Sequence, residues 1–199
     1  MCRKLLLFCI SFCLCTAAYA QIEVANLMTK RITTDGLGNL VTQNFSAIGF
    51  GGFLNLGFPV NETGAITTEG GIYYFAKDDN QVFLVPVLAG YRYILTGTTF
   101  GWYVEPKLGY TFGSTNFQKS NALGNPLVQS NGNPLDQKTA GMTAGIGFGY
   151  LFPIIGRLRL NVGLRYEHTF VTGDPSPSVL SLRISHTFAF GENKYESGY

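Results

Sequence analysis

The sequence predicts an all-β fold, an eight-stranded antiparallel up-and-down β-barrel whose strands cross a membrane. Three observations predict it. Apolar and polar residues alternate along several segments, as they do in strands, whose successive side chains point to opposite faces. Charged residues make up only 13% of the chain, about half of the usual ~25%. After residue 20, no apolar run is long enough to form a membrane helix.

The first twenty residues have the organisation of a secretory signal peptide. Arg3 and Lys4 precede an apolar stretch, and Ala18 and Ala20 form an A-x-A cleavage site. We therefore expect export and a mature chain that begins at Gln21. The predicted organisation is a cleaved signal at 1–20, a barrel at 21–190 and a short C-terminal periplasmic tail at 191–199.

Cysteine and charge exclude several function classes. All four cysteines lie in the signal (Cys2, Cys9, Cys13 and Cys15), so the mature chain has no thiol for disulfides, zinc or catalysis. The signal also holds two of the fourteen basic residues, which leaves twelve basic against twelve acidic residues. This balance gives no basic patch for nucleic acid, and no motif indicates a cofactor.

Eight segments have the length of membrane strands, which need ~9–11 residues. Seven show clear alternation: 45–58, 64–76, 82–95, 99–113, 138–151, 157–170 and 179–190. An eighth, at 22–32, alternates poorly and is predicted because single-chain bacterial barrels have an even number of strands. Pro86 and Pro106 fall inside strands and predict bulges or lost ladder bonds.

Connector lengths predict the orientation. Short turns are expected at 59–63, 96–98 and 152–156, and longer or more polar connectors at 33–44, 77–81, 114–137 and 171–178. Outer-membrane barrels have tight periplasmic turns and larger outer loops. Both termini are then periplasmic, and the loop at 114–137 is the expected contact surface because it is the longest.

The polar faces are predicted to point inward. In strand 99–113, aromatic residues lie at both ends of one face with aliphatic residues between them, as in the two girdles of a membrane barrel. The opposite faces carry charges of both signs that can pair across a lumen narrow enough for side chains to fill. The expected interior network is Glu69, Arg92, Glu105, Lys107, Arg159, Arg165, Glu167 and Arg183.

The last strand, Val179-Leu-Ser-Leu-Arg-Ile-Ser-His-Thr-Phe-Ala-Phe190, resembles the closing strand of outer-membrane barrels. Together with Pro86–Tyr93, Tyr103–Tyr110 and Leu164–Glu167, it makes the chain similar to the small outer-membrane β-barrel superfamily, the porin-like OmpA/OmpX type. The resemblance implies a place in the outer membrane of a Gram-negative envelope. It also implies contact with outer-membrane lipid and recognition of the last strand by the barrel assembly machinery. We expect a monomer.

Four functions are compatible with these patterns. The favoured one is a structural or interaction protein that acts through its outer loops, is not an enzyme and has a filled interior. The alternatives are a narrow porin or carrier for small solutes, a lipid-modifying membrane enzyme and a soluble ligand-binding barrel. His168 and His186 fall on outward faces, but no serine two residues away shares the face of either, and the usual nucleophile-base signature is absent.

Overall fold

The computed structural model describes residues 20–35, 37, 39–97, 100–117, 128, 137–155 and 158–188. Residues 1–19 of the predicted signal, most of the loop at 114–137 and the tail at 191–199 therefore lie outside the described residues. The strands are β1 (Ala20–Thr34), β2 (Leu40–Pro59), β3 (Gly64–Lys77), β4 (Asn80–Ile94), β5 (Gly101–Thr115), β6 (Gly141–Ile155), β7 (Leu158–Phe170) and β8 (Ser178–Phe188).

The eight strands form a closed barrel in chain order, and β1 pairs with β8 to close it. The prediction of an eight-stranded antiparallel barrel is confirmed, and so is the poorly patterned first strand. Within the described residues, no helix has the length and apolarity to cross a bilayer. We call the end with the β1–β2, β3–β4, β5–β6 and β7–β8 connections the loop end, and the other the turn end.

Burial alternates along the central part of the strands, which fixes the two faces of the wall. On β5, for example, Tyr103, Glu105 and Lys107 are buried, while Trp102 and Leu108 between and beside them are exposed. Large apolar side chains thus cover the outside, and the inward faces carry the charged side chains together with a set of buried apolar ones. A lumen that holds so many charges differs from the core of a soluble barrel, which apolar residues fill.

Glycines on the inward face make room for these large side chains. A Cβ built on Gly149 would lie 2.7 Å from the Tyr103 hydroxyl, and one on Gly147 would lie 2.8 Å from Nη2 of Arg183. Outward-facing Gly52, by contrast, has nothing within 4 Å of a Cβ. The glycine-rich face of β6 is therefore a thin part of the wall against which charged side chains pack.

The prolines remove ladder bonds without shifting the register. Opposite Pro86 on β3, and opposite Pro106 on β4, the strand pairing is interrupted for two residue pairs and then resumes in the same register. This is expected because proline has no N–H to donate. A register shift does occur between Pro153 and Ile155 on β6, where the sequence predicted a turn.

Several connectors differ from the prediction. The β3–β4 connection is a two-residue turn, Asp78–Asp79, in which Asp78 adopts a φ of 54°, and not the longer polar connector expected at 77–81. β1 and β2 extend to Thr34 and Leu40, so the loop expected at 33–44 shrinks to 35–39. Hydrogen bonding continues here past the apolar pattern from which the strand ends were inferred, and the expected contrast in connector length is only partly present.

Candidate functional site: the barrel interior

The lumen holds all eight residues that the sequence singled out. They come from five strands, because β3, β4, β5, β7 and β8 each direct alternate side chains inward. Each is buried, from 0% exposure for Glu105 and Arg183 to 7% for Arg92. Burying this many charges is tolerable only if they are paired and hydrogen-bonded.

The first group of contacts, the Glu69 cluster, centres on a carboxylate of β3. Glu69 accepts hydrogen bonds from the Lys107 ammonium and the Arg165 guanidinium. Arg165 also binds Glu23, with 2.9 Å between Nη2 and Oε2, and its Nε lies 3.1 Å from Oε1 of Glu167. One guanidinium from β7 thus joins carboxylates from three strands.

The second group, the Glu105 cluster, lies next to it. Glu105 contacts Nη2 of Arg92 at 3.2 Å and Nη2 of Arg183 at 3.0 Å. The Lys107 ammonium lies 3.5 Å from the same carboxylate oxygen and therefore links the two clusters. Arg183 further donates to the Tyr103 hydroxyl at 2.9 Å, and that hydroxyl donates to Asn161 at 2.8 Å.

Sequence reasoning missed three interior residues that complete these clusters. Glu23 accepts from Arg165 and from the Tyr73 hydroxyl, and Tyr103 joins Arg183 to Asn161. Glu23 could have been recognised from its place between outward-facing Ile22 and Val24, but it lies in the strand with the weakest alternation. The two tyrosines share the parity of neighbouring inward residues, but an aromatic ring on a strand does not by itself indicate a place in a network of charges.

The buried charges nearly balance. Among the described buried residues, four glutamates face five basic side chains. Aromatic rings add to the pairing: the Arg165 guanidinium lies 4.4 Å from the Phe53 ring centroid, and that of Arg92 lies 4.9 Å from the Tyr103 centroid. Cation–π contacts of this kind strengthen when water is excluded.

An apolar layer, which the sequence did not predict, fills the loop end of the lumen. We call it the loop-end plug: Leu27, Phe45, Phe75, Val82, Leu84, Phe117 and Val179, all buried. The rings of Phe45 and Phe117 meet edge to face at 4.8 Å. Gln137 fixes this layer to β1, since its side-chain amide donates to the Lys30 carbonyl at 2.6 Å and its backbone N–H donates to the Phe117 carbonyl at 3.0 Å.

The outer wall carries the expected aromatic residues. Trp102 and Tyr110 lie exposed towards opposite ends of β5, and the Trp102 ring stacks on Phe148 with centroids 5.2 Å apart. Leu164 on β7 is 54% exposed. His168 and His186 also point outward, as their alternation predicts.

One contact on the outer wall was not foreseen from the sequence. His168 Nδ1 lies 2.8 Å from the Ser178 hydroxyl on the neighbouring strand β8. The expectation concerned serines two residues along the same strand, whereas this pair forms across two strands. In the described part of the chain, no carboxylate hydrogen-bonds the other ring nitrogen of His168, and no group of three or more potential metal ligands forms.

Comparison with known proteins gives similarity in fold. Neither a protein-family model nor a curated protein sequence matches the chain. Among solved structures, it is similar to Ail, the attachment invasion locus protein of Yersinia pestis, with a TM-score of 0.48, 12% identity, and 84% of this chain and 96% of that chain covered. For Neisserial surface protein A the TM-score is 0.45 at 15% identity, with 85% of this chain and 97% of that chain covered. For the outer-membrane enzyme PagL the TM-score is 0.45 at 13% identity, with 83% of this chain and 97% of that chain covered. The closed eight-stranded barrel itself follows from the strand pairing of this chain.

Proposed function

We propose that this chain is an integral outer-membrane protein with a closed, side-chain-filled lumen that acts through its loop end in a structural or interaction role. One observation carries the proposal: exposed large apolar residues cover the outside of a closed barrel, while its charges are buried and paired inside. Hydrocarbon matches such a wall because the exposed side chains are apolar. The closed barrel also satisfies its backbone hydrogen-bonding groups internally, as a lipid environment requires.

Energetics argue against the soluble ligand-binding alternative. In water, a continuous apolar belt around the barrel would be a large exposed patch of the kind that drives aggregation. In a bilayer, the same belt is favourable, and inward placement avoids the ~2–4 kcal/mol that each Arg or Lys costs on the lipid face near the midplane. Among the described residues, ion pairs occupy the middle of the interior, where a soluble ligand-binding barrel would hold an apolar ligand.

Membrane fractionation tests this part of the proposal. We expect the protein to stay in the pellet after carbonate extraction and to require detergent for release. In gels, the unheated protein should migrate as a compact form that shifts on boiling, because a closed barrel resists detergent. Release by carbonate without detergent would favour the soluble alternative.

Two layers of buried side chains in the lumen favour a closed barrel over the narrow porin alternative. The loop-end plug blocks one half, and the Glu69 and Glu105 clusters occupy the other, with Arg165 and Arg183 buried from solvent. An eight-stranded barrel is just wide enough for side chains to fill. In planar bilayers, we expect no steady current above that of the bare membrane; discrete, reproducible conductance steps would support the porin alternative.

The loop end is the expected interaction surface, and the closing strand the expected signal for assembly. β8 pairs with both β7 and β1, so its insertion completes the barrel, which fits recognition of this strand by the barrel assembly machinery. The same proposal includes location in the outer membrane, export by the signal peptide at 1–20 and a monomeric state.

The contact between His168 and Ser178 favours a second candidate function, hydrolysis of an ester at the membrane face. A serine hydroxyl beside an imidazole is the core of an activated nucleophile. We favour a cross-strand structural bond instead, since no described carboxylate orients the imidazole. Mass spectrometry of membrane lipids from cells that produce the wild type or Ser178→Ala decides between them: we expect identical acylation, and a difference would make this protein an enzyme.

A further inference from the structure

Two adjoining recesses open on the outside of the barrel at its loop end. They arise because the β1–β2 hairpin is longer than its neighbours: pairing of β1 with β8 ends at Met28 and Ser178, and β3 turns back at Asp78–Asp79, while β1 and β2 remain paired to Thr34 and Leu40. The volumes are about 560 and 540 Å³, and the two recesses share Ser46. Together we call them the seam recess.

The seam recess is lined by hydrogen-bond donors and positive charge. The first part holds Lys30, Asn44, Ser46, Ser176 and Ser178, and the second holds Asn26, Ser46 and Lys77. No carboxylate is among the described residues that line it. Lys30 lines the first part and Lys77 the second, so each part of the recess contains one ammonium group.

Local bonding orients the shared wall. The Ser46 hydroxyl donates to Oδ1 of Asn26 at 2.8 Å, which directs the Asn26 amide nitrogen to act as a donor. The Lys77 ammonium lies 6.0 Å from the ring centroid of Phe45, a residue of the loop-end plug, so Lys77 stands at the loop-end rim of the barrel. Donors and ammonium groups arranged in this way favour phosphate oxygens.

The recess also has an apolar side. Met28 and Ile48 belong to its lining, and both are exposed on the outer wall. Next along the same faces of β1 and β2 lie exposed Val24 and Phe50. The lining thus changes from cationic to apolar over a short distance in the direction of the turn end, as the surface of a phospholipid does from headgroup to acyl chain.

We propose that the seam recess binds the phosphorylated headgroup of a membrane lipid, with the acyl chains lying along the apolar wall below it. The inference rests on the proposed function, since only a membrane-spanning barrel presents this wall to lipid. Lys30 and Lys77 supply charge, Asn26, Asn44 and Ser46 supply donors, and Met28 and Ile48 contact the chains. A free phosphate ion would use only the first part of this surface.

Electron paramagnetic resonance of spin-labelled lipids tests the proposal. The full mature chain is reconstituted in phosphatidylcholine vesicles with a trace of chain-labelled phosphatidic acid or of chain-labelled phosphatidylcholine. We expect the motionally restricted signal to favour phosphatidic acid by roughly twofold to fivefold at low salt, because each basic side chain near an anionic lipid contributes an effect of this order. Lys30→Gln with Lys77→Gln should reduce this preference to nearly one.

Two further variants sharpen the result. Lys138→Gln is the matched control, because Lys138 is also exposed at the loop end but does not line the recess; it should keep the preference. Ser46→Asp puts a negative charge on the shared wall and should abolish or reverse it. Equal preference in the wild type and the double lysine variant, or loss of preference in Lys138→Gln, would overturn the proposal.

The controls separate this inference from the proposed function and from free phosphate. If a restricted signal forms equally with both lipids, the barrel spans the membrane but the headgroup site is wrong. If no restricted signal forms with either lipid, the proposed function itself fails. Titration of the detergent-purified protein with inorganic phosphate should give no binding that depends on Lys30; such binding without lipid preference would assign the recess to the free ion.

Discussion

At the residue scale, stability is expected to depend on the completeness of the buried ion pairs more than on their number. Glu69 neutralises two cations in the lumen, Lys107 and Arg165. An exposed ion pair is worth little, whereas removal of one partner of a buried pair leaves an uncompensated charge. The contribution of Glu69 is therefore mainly the avoidance of that penalty.

The Glu69→Gln variant tests this directly. We expect the free energy of unfolding to fall by about 3–5 kcal/mol, the range for breaking a buried pair, as measured by urea unfolding in lipid vesicles. The control is Glu62→Gln in the exposed β2–β3 turn, which should change it by less than about 0.5 kcal/mol. Similar values for the two variants would mean that the lumen is hydrated and the charges are screened.

The Tyr103 hydroxyl gives a second prediction at this scale. It donates to Asn161 and accepts from Arg183, so Tyr103→Phe leaves buried polar groups short of a partner and should cost about 1–3 kcal/mol. Tyr93→Phe removes a hydroxyl from the outer wall of β4, where Tyr93 is exposed, and should be nearly neutral in the same assay. A neutral Tyr103→Phe would show that water replaces the lost contacts.

At the scale of the strands, the sequence predicted the existence and faces of the elements better than their ends. The faces of β5 could be predicted because alternation can be read from one strand alone. Trp102 and Leu108 point outward, and Glu105 and Lys107 point inward. The ends of β1 and β2 depend instead on cross-strand hydrogen bonds that continue beyond the apolar pattern. The turn at Asp78–Asp79 likewise follows from the register of two strands, which neither strand encodes by itself.

The thin wall of β6 allows a prediction with a closely matched control. Gly149→Ala places a methyl group 2.5 Å from the Val162 carbonyl oxygen and 2.7 Å from the Tyr103 hydroxyl. We expect a loss of about 1–3 kcal/mol from overpacking. Gly52→Ala on the outer face of β2 meets nothing within 4 Å and should stay within about 0.5 kcal/mol of the wild type.

The gel shift on boiling offers a direct reading of these two glycine variants. Gly149→Ala should give less of the compact unheated form than Gly52→Ala does. Equal amounts of compact form would mean that the β6 wall can move away from Tyr103 without cost.

At the scale of the whole molecule, the lumen has two layers, and only one could be predicted. Eight of the nine buried charges of the described residues were recognisable because charge on one strand face is conspicuous. Leu27, Phe75 and Leu84 have the same inward parity, but an apolar side chain does not by itself indicate that its face is turned to the lumen. Their layer appears only when barrel closure brings β1, β2, β3, β4 and β8 together at the loop end, with Phe117 and its anchor Gln137.

The site-directed spin labelling of Leu164 tests most directly the central claim that hydrocarbon, not water, surrounds the barrel. Leu164 lies outward in β7, and Leu37, 89% exposed near the tip of the β1–β2 connection, provides the aqueous control. In lipid vesicles, we predict that a label at 164 collides freely with oxygen and hardly with a water-soluble nickel chelate, while a label at 37 does the opposite. Free collision of the nickel chelate with the label at 164 would contradict the account.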